Sequence, residues 1–218
     1  DIRKYVINSD GSYIATNDVV VLINEERAVK VYSQYYLNYN RSLENLEVVE
    51  AFTQKPDGRK FAVQPDQIKE QQERGSADAP MFQDTLVKVV IFPDVAVGDR
   101  LIIRSRTHRH TALFPQHFES LSNPTFHPTK QYTLVYDLPQ SMPLYADARG
   151  FKASDPVTMA GRTIYRWDNV PEKKARIENG SVAYQDYGQY LAVSTFPDFQ
   201  AFAQAYDARA KSRVTAEI

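Results

Sequence analysis

Leu46-Glu47-Val48-Val49-Glu50-Ala51-Phe52-Thr53 and Thr85-Leu86-Val87-Lys88-Val89-Val90-Ile91-Phe92 are strand-like runs rich in β-branched residues, and each ends in a hard turn signal. The first is followed by Lys55-Pro56-Asp57-Gly58, where proline presets φ and glycine permits a left-handed position. The second runs into Phe92-Pro93-Asp94 and then Gly98-Asp99. Strand runs closed by such turns make the stretch 46–106 the frame of a β domain. It holds no catalytic motif.

Working toward the N-terminus, residues 2–8 and 13–16 flank Ser9-Asp10-Gly11-Ser12, a hairpin signal that pairs the first two strands. Residues 19–23 form a continuous apolar run, which predicts a strand buried on both faces or central in a sandwich. From 29 to 39 the residues alternate, with Val29, Val31, Tyr35, Leu37 and Tyr39 on one side, predicting one long strand. Residues 60–63 read as a further strand. The polar segment 65–80, with its charged run 67–74, suits either a short exposed helix or a loop.

Toward the C-terminus, residues 101–110 make another strand, 113–128 reads as irregular, and 131–138 alternates until Pro139 stops it. Short strands follow at 144–148, 156–159, 162–167 and 190–194. The period then changes to that of a helix. Thr195 is the expected N-cap, and Phe199, Phe202, Tyr206 and Ala210 form a stripe along a helix ending near Ser212. A second helix begins at 215–218. The fold class is therefore mainly β: a large antiparallel β-sandwich over 1–194, with a short helical linker over 195–218 toward a downstream domain.

The chain has 218 residues, with 26 Lys+Arg against 27 Asp+Glu and a net charge of −1. That balance argues against nucleic acid as a partner, which would call for a basic surplus. The cysteine count of 0 rules out a disulfide, a thiolate nucleophile or a cysteine-ligated metal within this chain. No apolar run nears the roughly 20 residues of a membrane helix. The chain opens at Asp1, which reads as a trimmed N-terminus.

The candidate ligand-binding residues are Arg104, Arg106, His108 and His110, which share one face of a strand. The two histidines at i and i+2 have a spacing able to present imidazoles to one metal, but spacing supplies no third ligand, although His117, Glu119 and His127 lie downstream. The reading therefore assigns no metal and no cofactor. The arginines suit either a carboxylate or sulfated glycan, or pairing with acids on neighbouring strands. Tyr35, Tyr36, Tyr39, Tyr132 and Trp167 suit either a sugar-binding platform or the core. Asn40-Arg41-Ser42 and Asn179-Gly180-Ser181 match the glycosylation sequon without implying a function. Serine-nucleophile and phosphate-loop motifs are missing, so no catalytic residue is assigned.

Several of these signals, in order, resemble an uncharacterised bacterial domain found N-terminal to transglutaminase-like domains in exported proteins. They are Ser9-Asp10-Gly11-Ser12, Tyr39-Asn40, Ala51-Phe52-Thr53 with Pro56-Asp57-Gly58, Ile91-Phe92-Pro93 with Val97-Gly98-Asp99, Tyr165-Arg166-Trp167-Asp168-Asn169, and Ser194-Thr195-Phe196-Pro197-Asp198-Phe199. The resemblance implies a periplasmic or extracytoplasmic β-sandwich beside a separate papain-like domain carrying a Cys-His-Asp triad. It makes this chain the non-catalytic portion, with that downstream domain, a protein or a cell-wall glycan as partner. The alternative is a carbohydrate- or peptidoglycan-binding module.

Overall fold

The computed structural model describes residues 1–73, 84–124, 129–171, 180, 182 and 184–210. The chain is mainly β, and most of its strand pairs, such as 13–22 with 100–109 and 34–40 with 85–91, are antiparallel. It divides into two compact units: unit 1 holds 1–6, 13–111 and 133–135, and unit 2 holds 7–12, 112–132 and 136–218.

Unit 1 is built from β1 (Ile2–Ile7), β2 (Tyr13–Leu22), α1 (Glu26–Tyr32), β3 (Gln34–Asn40), β4 (Glu44–Gln54), β5 (Lys60–Ala62), β6 (Ile68–Gln72), β7 (Thr85–Ile91) and β8 (Arg100–Arg109). Within unit 1 the strands of one sheet follow the order β1-β2-β8-β4-β5, and a three-stranded sheet runs β3-β7-β6. Val19, Ile23, Ala51, Val90, Phe92, Leu101 and Ile103 form the core that joins them. The hairpin signal at 9–12 does connect two adjacent strands.

Three expectations change here. The long strand over 29–39 is a helix followed by a strand, because Ala28, Val29 and Tyr32 fall on one helical face and pack on the core. Val31 then points away from it, 61% exposed, and the Ser33 N–H closes the helix on the Val29 carbonyl at 2.9 Å. Of the two alternatives for 19–23, burial on both faces fails, since Val20 is 58% and Leu22 39% exposed, while β2 is an interior strand of its sheet and Val19 and Ile23 enter the core. The segment 67–74 contains a strand: Gln64 and Gln67 cap a 3₁₀ turn over Pro65–Gln67, after which β6 pairs with β7. Tertiary pairing there overrides a helix-compatible composition.

The two turns of the fold-deciding stretch are clasped together. Gly58, at φ +90°, donates its N–H to the Lys55 carbonyl at 2.9 Å, which closes the β4–β5 hairpin. Lys55 Nζ then lies 2.9 Å from the Asp99 carboxylate and 3.0 Å from that of Asp94, and also donates to the Asp94 carbonyl. Asp99 is 1% exposed and also accepts the Ala96 N–H at 2.8 Å. The hydrogen bond to Asp99 is the main reason the Lys55 ammonium titrates above its ordinary value. A raised lysine pKa stabilises the fold below its unfolded value and loses that contribution as pH climbs through the folded one. Lys55→Met is therefore expected to lower the urea midpoint at neutral pH, with the deficit shrinking as pH climbs above the ordinary lysine value of about 10.4. Urea melts at neutral pH and above that value check this.

Unit 2 contains β9 (Glu119–Ser122), β11 (Tyr145–Arg149), β12 (Phe151–Ala153), β13 (Val157–Met159), β14 (Arg162–Asn169), α2 (Tyr184–Tyr187), β15 (Tyr190–Ser194) and α3 (Phe199–Ala210). Strand β10 (Thr133–Pro139) contributes its residues 136–139 to this unit. The strand order is β12-β14-β10, with β13 beside β14, and separately β11-β15-β9. Strand β9 lies within the stretch expected to be irregular and is fixed by pairing with β15, its Leu121 64% exposed.

Tyr136, Leu138, Trp167, Leu191 and Val193 are buried. Arg162 holds the end of β10: its Nε donates to Asp137 Oδ1 at 2.5 Å, and its Nη2 donates to the Asp137 and Ile7 carbonyls at 2.8 and 2.9 Å. Thr195 does not cap α3. Its hydroxyl instead accepts the Phe118 N–H at 2.9 Å, and Asp198 takes the capping role by accepting the Ala201 N–H at 2.8 Å. On α3, Phe202 packs edge-to-face on Phe114 and Phe196, whereas Phe199 and Tyr206 are 80% and 59% exposed. The helix bounds near 212 and the second helix at 215–218 lie outside the described residues.

Candidate functional site

Alternation along β8 puts Leu101, Ile103 and Ser105 inward and Arg104, Arg106 and His108 outward. The outward row meets acids from both sides. Asp18 and Glu50 stand opposite Arg104 in register, and Glu47 stands opposite Arg106. Arg104 Nε donates to Asp18 Oδ1 at 2.5 Å, and its Nη1 reaches Glu50 at 3.5 Å. Arg106 reaches Glu47 at 3.5 Å. The bond to Asp18 is the main cause that raises the Arg104 pKa.

His108 and His110 have ring centroids 6.4 Å apart, and His110, beyond the end of β8, lies 3.0 Å through Nδ1 from Thr111 Oγ1. Among the described residues no group of three or more His, Asp or Glu could hold a metal ion. His117 belongs to unit 2, stacked on Phe196 at 3.7 Å, and burial pushes its imidazole pKa down. Burial raises the pKa of Glu119. His127, residue 179 and residue 181 lie outside the described residues.

The tyrosines and tryptophan do not assemble into one platform. Tyr132 and Trp167 are 5% and 7% exposed. Tyr39 is buried, donates to Glu70 at 2.7 Å and has its phenol pKa pushed up to about 12, first by burial and then by that carboxylate. Tyr36 is 55% exposed and donates to Gln34 at 2.7 Å.

The feature that the sequence does not announce lies on the inner face of the same sheet, within unit 1. Toward one end the inward positions of β2 and β8 pass from Val19 and Ile103 to Ala15, Asn17, Ser105 and Thr107. These side chains are too small or too polar to fill the space beneath β3, and a cleft of about 330 Å³ results. Tyr5 and Tyr13 line it with rings in edge-to-face contact at 5.6 Å. Burial is the main cause that pushes the Tyr13 phenol pKa up to about 12, and it also raises that of Tyr35. Both therefore remain neutral phenols at ordinary pH.

The charges in the cleft are answered locally. Glu44 accepts the Asn40 N–H at 2.9 Å and an Arg109 N–H at 3.2 Å, and Arg3 donates to Asp1 at 3.3 Å. Asn17 Oδ1 is buried without a hydrogen-bond partner among the described residues. With Glu44 engaged and no histidine in its lining, the cleft offers rings and neutral hydrogen-bonding groups, which suits binding better than acid–base catalysis.

Comparisons with known proteins add the following. A family model described as a domain of unknown function with solved structure matches residues 9–174. No curated protein matches the chain. Among solved structures, a protein of Parabacteroides distasonis ATCC 8503 described as a "putative protease" superposes with a TM-score of 0.82 over 95% of this chain, at 18% identity. This chain spans 41% of that one, and at such identity the likeness is one of fold.

Proposed function

The chain belongs to the DUF3857 family, and on that premise we propose that it is a non-catalytic N-terminal accessory or interaction domain of an exported bacterial protein. In this reading residues 1–194 form the interaction domain. Residues 195–218 lead toward a transglutaminase-like domain that supplies a Cys-His-Asp triad, in the periplasm or another extracytoplasmic space.

The carrying observation is one of proportion: a protein described as a "putative protease" contains this fold in 41% of its length. The remainder leaves room for a catalytic domain. The absence of cysteine from this sequence agrees, since a cysteine nucleophile would have to come from elsewhere in the protein. The expected result is amide hydrolysis or exchange by the longer protein, lost on replacing its downstream cysteine, and no turnover by residues 1–218 alone. A reading frame with no Cys-His-Asp domain beyond Ile218 would reject the proposal.

The alternative, a carbohydrate- or peptidoglycan-binding module acting through Arg104, Arg106 and exposed tyrosines, draws less support. Both guanidinium groups are already in ion pairs with acids of adjacent strands.

A further inference from the structure

Strand β3 reads Gln34-Tyr35-Tyr36-Leu37-Asn38-Tyr39-Asn40 and pairs with β7 along one side; among the described residues no strand pairs with its other side. Side chains alternate along a strand, so a cavity lying against one face meets every second residue. The cleft instead meets Tyr35, Tyr36, Leu37 and Asn38 in succession. The main-chain edge of β3 therefore forms its rim, and that edge carries the N–H and C=O groups not used by β7, except at Asn40, whose N–H is taken by Glu44 and whose carbonyl accepts the Leu43 N–H.

Soluble proteins usually blunt an open edge with lysine, proline or a bulge. Strand β3 has no charged residue and no proline, and its register with β7 is unbroken from Gln34↔Ile91 to Asn40↔Thr85. A second observation comes from the interior: Asn17 is one of the residues lining the cleft, and its Oδ1 is a buried acceptor with no hydrogen-bond partner among the described residues. Because Arg3 and Glu44 are paired within the fold, a charged guest would find no counter-charge here.

We propose that the edge of β3 and the cleft beside it bind an extended, uncharged segment of a partner polypeptide, which joins the β3-β7-β6 sheet as a further strand. The donors and acceptors of an open edge repeat at the strand spacing, and another extended main chain is their complement. Alternate side chains of the guest would lie toward the Tyr5, Tyr13 and Tyr35 rings. A sugar could stack on those rings but has no periodic row of amides to match the edge. This inference is independent of whether a catalytic domain follows.

The test titrates the isotope-labelled 218-residue chain with a capped peptide of alternating threonine and valine, as long as β3. Controls are the same peptide with a central proline, and chitotriose as a neutral sugar. Expected are slowed hydrogen exchange at the β3 amides and a dissociation constant of about 1 mM or tighter. The proline peptide should bind about tenfold more weakly, since it cannot donate throughout the ladder. Tyr36→Lys, at an exposed position, should weaken the first peptide about tenfold by placing a charge on the edge.

Asn17→Ala should weaken the peptide while leaving the melting temperature unchanged or higher, because it deletes a buried acceptor that has no protein partner. A purely structural Asn17 would lower the melting temperature instead. Equal binding of the proline peptide, preference for chitotriose, self-association of the chain through β3, or no protection of β3 amides at about 10 mM peptide would each overturn the proposal.

Discussion

Trp167→Ala is expected to cost about 3–5 kcal/mol of folding stability, the range for deleting a large aromatic from a packed interior. Trp167 is 7% exposed on β14. Its ring meets Tyr136 edge-to-face at 5.7 Å and lies nearly parallel to Tyr165 at 6.0 Å. Tyr136, 0% exposed, in turn meets Phe118 at 5.8 Å. Removing the indole leaves a void bounded by rings whose rotamers are fixed by one another, so little collapse can offset the loss. The check is the urea midpoint, with Tyr145→Ala as a control: Tyr145 is 45% exposed, and its loss should stay within about 0.5 kcal/mol.

Gly11→Ala should be nearly as damaging, for two separable reasons. Gly11 sits at φ +87°, where an L-residue costs about 1–2 kcal/mol. A Cβ there would also lie 2.4 Å from the His117 carbonyl oxygen and 2.9 Å from the Ala112 Cβ. The carbonyl belongs to the backbone and cannot swing aside, so overpacking adds about 1–3 kcal/mol. Gly58→Ala isolates the first contribution, since its φ is +90° and nothing lies within 4 Å of the added carbon. If thermal melts of the two variants coincide, the close approach of Gly11 to residue 117 plays no part.

The hairpin at 9–12 and the turn at 55–58 were legible because turn chemistry acts over a few residues. Asp10 Oδ1 accepts the Ser12 N–H at 2.9 Å, and Asp57 Oδ1 accepts the Arg59 N–H at 3.0 Å, both local bonds that the residue types announce. The helix at Glu26–Tyr32 was not legible, because Val29 and Val31 mimic strand alternation until it is known that Ala28, Val29 and Tyr32 meet the core. Strand β6 was missed for a related reason: its partner β7 lies across the segment 73–84, and pairing at that distance leaves no local signature.

Of the candidate site, the outward row of Arg104, Arg106 and His108 followed from period two alone. The acids that answer it depend on which strands become neighbours. The cleft was invisible because it arises from what is lacking in bulk at Ala15, Asn17, Ser105 and Thr107 on facing positions of β2 and β8. A scan for small or polar residues at otherwise core-facing strand positions would have pointed to it.

The arginine row has a further consequence, in the search for the native pairing. Strand β8 lies between β2 and β4 and must settle one alignment with each. Its outward sequence Ile102, Arg104, Arg106 is matched on β4 by Phe52, Glu50 and Glu47, with an irregularity between Val48 and Glu50. Slide β4 by one repeat and either Ile102 faces a glutamate or Arg104 faces Phe52. The charges thus act as an address label, rejecting misaligned sheets during assembly even though such exposed pairs add little to the finished one.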